Sequence, residues 1–198
     1  MIIVGLTGSI GSGKSFIANF LKLKRIPIYY ADKEANKILI NDNSVKKKIA
    51  NLFPEVYINK KINKTKLGSL VFKDKRKLKK LENIIHPKVG QAKRKFLSFH
   101  RKKKARLVIL EIPILFETNG YKGCDFTILV FVNKKKHLKR VLSRGNMDKK
   151  KLEEILLNQM PLEEKKKKAD FIVNNSYGKK ETIEKVEKII KQILSTSL

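Results

Sequence analysis

Gly8-Ser9-Ile10-Gly11-Ser12-Gly13-Lys14-Ser15 is the stretch on which the reading of this chain turns. It matches G-x-x-x-x-G-K-[ST] at every fixed position. The apolar run Ile2–Leu6 precedes it, and Phe16, Ile17, Phe20, Leu21 and Leu23 follow at helical spacing. Strand, glycine-rich loop and helix is the setting in which this pattern binds phosphate. Glycines let successive backbone N–H groups turn inward onto an anion. The helix opening near Lys14 aims its positive dipole end at the same place. The expected nucleotide-binding set is therefore Gly8, Gly11, Ser12, Gly13, Lys14, Ser15 and Phe16. Lys14 can reach the β- and γ-phosphates, and the Ser15 hydroxyl can ligate Mg2+. The loop specifies a nucleoside triphosphate but not the acceptor, since a switch GTPase, an ATPase and a small-molecule kinase all share it.

Outward from the loop, Ile26–Tyr30 reads as a second strand with Pro27 at its start, and 31–40 as a helix. From Ser44 to about Arg101 the pattern is helical and very basic, broken at Pro54 and over Tyr57–Asn63, with no strand expected. Leu107–Ile112 and Phe126–Val132 are almost uninterrupted apolar runs, as in a parallel sheet covered on both faces. Lys135–Ser143, Asp148–Gln159 and Glu181–Leu194 read as helices, and Phe171–Val173 as a last strand. The alternation argues an α/β fold. The expected architecture is a three-layer P-loop NTPase with a parallel sheet of about five strands. Its core would take about 1–31 and 105–198, with a helical insertion over about 32–104; if the chain is a small kinase, that insertion would bind the acceptor and about 138–165 would form a lid.

Composition narrows the classes. The 198 residues are 41% hydrophobic, enough for one substantial core. Ten Gly, five Pro and one Cys exclude collagen, low-complexity and disulfide-scaffold chains. The unpaired Cys124 fits a reducing cytoplasm. No apolar run nears the roughly 18 residues of a membrane span, and Met1–Leu6 lacks the basic start of a signal peptide. A cytoplasmic protein without membrane attachment is expected. With 47 Lys+Arg against 18 Asp+Glu, the net charge is +29. Lys supplies 40 of those basic residues. Lys, Ile and Asn all have A/T-rich codons, so the expected origin of the excess is a biased genome; the other reading is a surface that attracts polyanions such as nucleic acid or polyphosphate nucleotides. The Lys runs at 46–48, 102–104, 134–136, 149–151 and 165–168 carry no interleaved aromatics, so no specific nucleic-acid partner is expected. His100, His137 and Cys124 show no metal-ligand spacing.

A GTPase would carry a D-x-x-G switch and an N-K-x-D base-reading motif, and neither occurs. About 200 residues with a helical insertion after the second strand suit a small kinase. Over nearly its whole length the chain resembles the dephospho-CoA kinases. Ile3-Val4-Gly5-Leu6-Thr7-Gly8 leads into the loop as in that family. Tyr30-Ala31-Asp32 is similar to its D-A-D segment, Leu81-Glu82-Asn83-Ile84-Ile85-His86-Pro87 to its L-E-x-I-x-H-P, and Glu111-Ile112-Pro113-Ile114-Leu115-Phe116-Glu117 to its D-x-P-L-L-F-E. Arg140 and Arg144 match an R-x-x-x-R lid, and Gln159, Lys165, Ala169-Asp170 and Asn175 its tail. The chain departs at Tyr30 and Glu111, each in place of Asp, at Gly90 and Ile155, each where Arg is common, and at Phe16 in place of Thr.

The resemblance implies transfer of the ATP γ-phosphoryl group, with Mg2+, to the ribose 3′-hydroxyl of 3′-dephospho-CoA, giving ADP and coenzyme A. It implies Asp32, Lys14 and Arg140 as catalytic residues, Arg144 and Asn175 as further nucleotide ligands, and Asp32, His86 and Glu111 as acceptor-side residues. Each has a plainer reading. Asp32 would also serve as a helix cap, Glu111 as a structural partner of Lys14, His86 as a core residue, and Asn175 as a turn former. The two arginines would also suit a solvated helix face. A monomer is expected. The rival readings are another small P-loop kinase, such as a nucleoside monophosphate kinase, and a basic NTPase that binds nucleic acid.

Overall fold

Five short apolar segments form one parallel sheet. The computed structural model describes residues 1–59, 61–143 and 149–196. Strand β1 (Ile2–Thr7) lies at the centre, between β5 (Leu107–Glu111) and β6 (Phe126–Phe131). Strands β2 (Ile28–Tyr30) and β7 (Phe171–Asn174) close the edges, giving the order β2-β5-β1-β6-β7, all parallel. The expected five-stranded sheet is therefore present. Every residue of β5 is buried, as a strand covered on both faces requires. β2 starts two residues later than expected; the Pro27 carbonyl still accepts from Ile109 N–H at 2.9 Å.

Helix α1 (Lys14–Leu23) and helix α9 (Lys179–Ser195) lay Ile17, Ala18, Leu21, Val186, Ile189, Ile190 and Ile193 against Val4, Leu6, Ile109, Ile128 and Val130 of the sheet. Aspartates fix the strand starts: Asp125 accepts from Ile3 N–H at 2.7 Å, and Asp170 from both the amide and the hydroxyl of Thr127. Between β6 and β7 run α6 (Lys134–Leu142), α7 (Lys149–Leu157) and α8 (Leu162–Lys168). The sequence pattern did not point to α8, because its lysines conceal a single inward face.

The chain divides into two compact units, residues 1–30 with 99–198, and residues 31–98. The second holds α2 (Ala31–Asn41), α3 (Asn43–Leu52), α4 (Lys64–Phe72) and most of α5 (Lys75–Lys102). It has its own core of Ile38, Val45, Ile49, Phe53, Val56, Leu67 and Val71. It also contains a small antiparallel hairpin, β3 (Tyr57–Ile58) with β4 (Lys61–Ile62). This corrects the expectation of a strandless segment. Strands of two residues are too short to show alternation, and the turn uses Asn59 at φ 49°, a conformation Asn tolerates. α5 continues through Pro87 without ending.

Candidate active site

Each glycine of the loop between β1 and α1 that needs a positive φ has one: Gly8 at 145°, Gly11 at 76° and Gly13 at 100°. None of the three has room for a side chain. A methyl group would meet the Val130 carbonyl at Gly8, the Val141 side chain at Gly11 and the Asn175 amide at Gly13, all within 2.5 Å. The loop leaves the central strand where connections depart to both sides, the switch point at which open α/β sheets bind ligands.

The loop is held from three directions. Lys14, buried at 7% exposure, donates from Nζ to its own loop carbonyls at Gly8 (2.5 Å) and Ser9 (3.0 Å). The Asn175 Nδ2 donates to the Ser12 carbonyl at 2.8 Å, while its Oδ1 accepts from Thr182 Oγ1 at 3.1 Å. His137 Nε2 lies 2.6 Å from the Ile10 carbonyl. Arg140 Nη2 donates to the Asn175 carbonyl at 3.2 Å. So Arg140 and Asn175 converge on the loop. Ser15 is exposed at the start of α1, and Phe16 packs its ring against the core.

Glu111 ends β5 at 7% exposure, in register with Leu6 on one side and Tyr30 on the other. Thr7 Oγ1 donates to the Pro113 carbonyl at 3.0 Å, tying the end of β1 to the chain leaving Glu111. Tyr30 donates its hydroxyl to Asn19 Oδ1 at 3.4 Å. Burial, and secondarily the Glu111 carboxylate, push the Tyr30 phenol above its ordinary range.

Asp32 and His86 belong to the unit 31–98. Asp32 is exposed in the first turn of α2, where a carboxylate complements the helix dipole. His86 is exposed on α5, one residue before Pro87. Arg144 lies outside the described residues. His137 was missed from sequence, since one histidine among lysines gives no signal until α6 is packed on the loop.

A cavity of about 340 Å³ borders the loop, lined by Ser9 and Ser12, by Lys134 and His137 of α6, and by Gln159–Leu162. Among the described residues no cluster of three or more His, Cys, Asp or Glu could hold a metal, and no helix is long and apolar enough to cross a membrane.

The sequence pattern of the dephospho-CoA kinases matches residues 2–181. The dephospho-CoA kinase of Bradyrhizobium diazoefficiens is 39% identical over 178 residues, 90% of this chain and 88% of that one. A solved Thermus thermophilus protein superposes with a TM-score of 0.86 at 34% identity, covering 98% of this chain and 97% of that one. The dephospho-CoA kinase of Campylobacter jejuni gives 0.71 at 30% identity, covering 99% and 98%.

Proposed function

The chain belongs to the dephospho-CoA kinase family, and from that premise we propose how its own residues carry the reaction. It is a phosphotransferase with an alcohol acceptor, acting at the last step of coenzyme A synthesis. The observation that carries the assignment to this chain's residues is the complete phosphate loop, braced by His137 and Asn175, at the switch point of the sheet.

In the reaction the 3′-oxygen of the acceptor ribose bonds to the γ-phosphorus of ATP. The bond from that phosphorus to the β,γ-bridging oxygen breaks, and ADP leaves. The backbone N–H groups of Gly8–Gly13 and the Lys14 ammonium hold the phosphates and offset the charge on the transferring group. Arg140, anchored beside the loop at Asn175, adds a second cation. Asn175 acts by bracing the loop, because both ends of its amide bond to the protein. Asp32 takes the hydroxyl proton, and His86 contributes to acceptor binding. Both assignments are supported by the match of their segments to the family motif.

The donors present suit Mg2+, which keeps most of its waters and takes few protein ligands. The exposed Ser15 hydroxyl and the Glu111 carboxylate would hold it, directly or through water. When bound, the ion neutralises the phosphate oxygens.

The test is ATP turnover against a panel of acceptors. Phosphorylation of 3′-dephospho-CoA far above that of AMP, CMP or UMP is expected. Preference for a nucleoside monophosphate would overturn the reading.

A further inference from the structure

Among the described residues, the buried charged side chains are Lys14, Glu111 and Lys165. The first two belong to the site above. Lys165 is the third, at 0% exposure on α8, and nothing so far uses it. Its Nζ lies 2.8 Å from Glu117 Oε1. The same oxygen accepts from the Met160 N–H at 2.9 Å.

Glu117 sits in the turn that leaves β5 after Glu111. That turn is anchored by buried Leu115 and Phe116 and closed by Gly120 N–H on the Leu115 carbonyl at 2.8 Å. One carboxylate thus ties the chain leaving Glu111 to the segment between α7 and α8. Gln159, Met160 and Pro161 of that segment, with Leu162 at the start of α8, form one wall of the cavity whose other wall includes Ser9 and Ser12 of the phosphate loop.

Stability does not explain the pair. Desolvating two charges offsets most of their attraction, and apolar residues of similar size hold a core equally well. A chain with 47 basic residues can keep its lysines in water, so shielding this one is a particular arrangement. What an ion pair adds over an apolar contact is a fixed distance and direction.

We infer that Glu117 and Lys165 are positioning residues for phosphoryl transfer, setting the Met160–Leu162 wall against the phosphate loop. Neither touches the reacting atoms. The inference rests on the kinase reading above and deepens it.

The test compares E117D, which keeps the charge but shortens its reach, with the uncharged double variant E117Q/K165M. Melting, kcat, both KM values and direct ATP binding are measured well below each melting temperature. For E117D, kcat should fall about 10-fold or more in protein that is still folded at the assay temperature, because displacements near 1 Å are costly in a reacting geometry; its melting temperature should also drop, since the shorter side chain leaves a buried ammonium poorly paired. The double variant should melt near wild type yet stay slow. Wild-type kcat in either variant would overturn the inference. Should E117D fail to fold, the double variant carries the test on the same terms. If wild-type protein leaves 3′-dephospho-CoA untouched, the acceptor assignment fails separately. ATP affinity then becomes the readout: weakened binding in E117D supports the pair's role, and unchanged binding overturns it.

Discussion

Gly13 shows how little freedom a single position in the loop has. At φ 100° an added methyl would sit 1.9 Å from the Asn175 amide nitrogen, so it must both strain the backbone and dislodge the brace. Such strain costs about 1–3 kcal/mol. Gly13→Ala should weaken ATP binding about 10-fold or more, read by calorimetry. Lys14→Ala removes a cation aimed at the developing charge and should lower kcat at least about 100-fold in a folded protein; near-normal turnover would sink the donor-site assignment. Asp32→Asn separates two roles. Asp32 lies inside the first turn of α2 rather than at its cap, so Asn keeps the shape and gives up only the charge on the helix dipole; a purely structural Asp32 predicts a slightly lower melting temperature and unchanged turnover. A lost proton acceptor predicts a fall of about 100-fold in single-turnover rate with ATP affinity unaltered. The loop residues were legible because the turn itself demands glycine, lysine and a hydroxyl at fixed spacing. His137 and the Glu117–Lys165 pair were not legible as contacts, because each joins residues distant in sequence and only packing decides which partner is met.

Among the elements, α3 and α5 are tied at one residue. Asp42 caps α3 by accepting from Val45 N–H at 3.0 Å, and pairs with Lys88 of α5 at 2.8 Å. The Lys88 ammonium first, then the Ser44 hydroxyl and the Val45 amide, hold its carboxyl well below the usual carboxylate range. A depressed acid stabilises the fold above the unfolded value of about 3.9 and loses that contribution as pH falls below it. Asp42→Asn keeps a cap but not the charge. It should cost about 1 kcal/mol at pH 7, since the pair is partly exposed. The cost should shrink steadily below about pH 4, as melting across that range would reveal. Gly90 lies inside α5, and a methyl there meets only Arg94 at an ordinary 3.7 Å. Gly90→Ala should therefore stabilise by about 1 kcal/mol and raise Tm by about 2–4 °C. Long apolar or amphipathic elements such as β5, β6 and α9 were readable from periodicity alone. The hairpin at 57–62 was not, for two residues per strand carry no period.

For the whole molecule, the charge of +29 predicts contact with any polyanion in dilute salt. Such contacts, made to phosphates alone, should lose most of their affinity between about 50 and 200 mM salt and rank unrelated oligonucleotides equally. Sequence-selective binding that survives 200 mM salt would contradict a compositional origin for the charge. The sheet order has a different kind of consequence, one set by time. β1 pairs only with β5 and β6, whose first residues come about a hundred or more positions later. The unit 31–98 emerges whole during synthesis while β1 has no partner, as chains folding unit by unit would have it. The glycine loop is translated among the first fifteen residues, yet His137 and then Asn175 must arrive before it is held. A nascent chain halted at residue 170 thus contains every letter of the phosphate loop but not the Asn175 brace, and should bind no ATP.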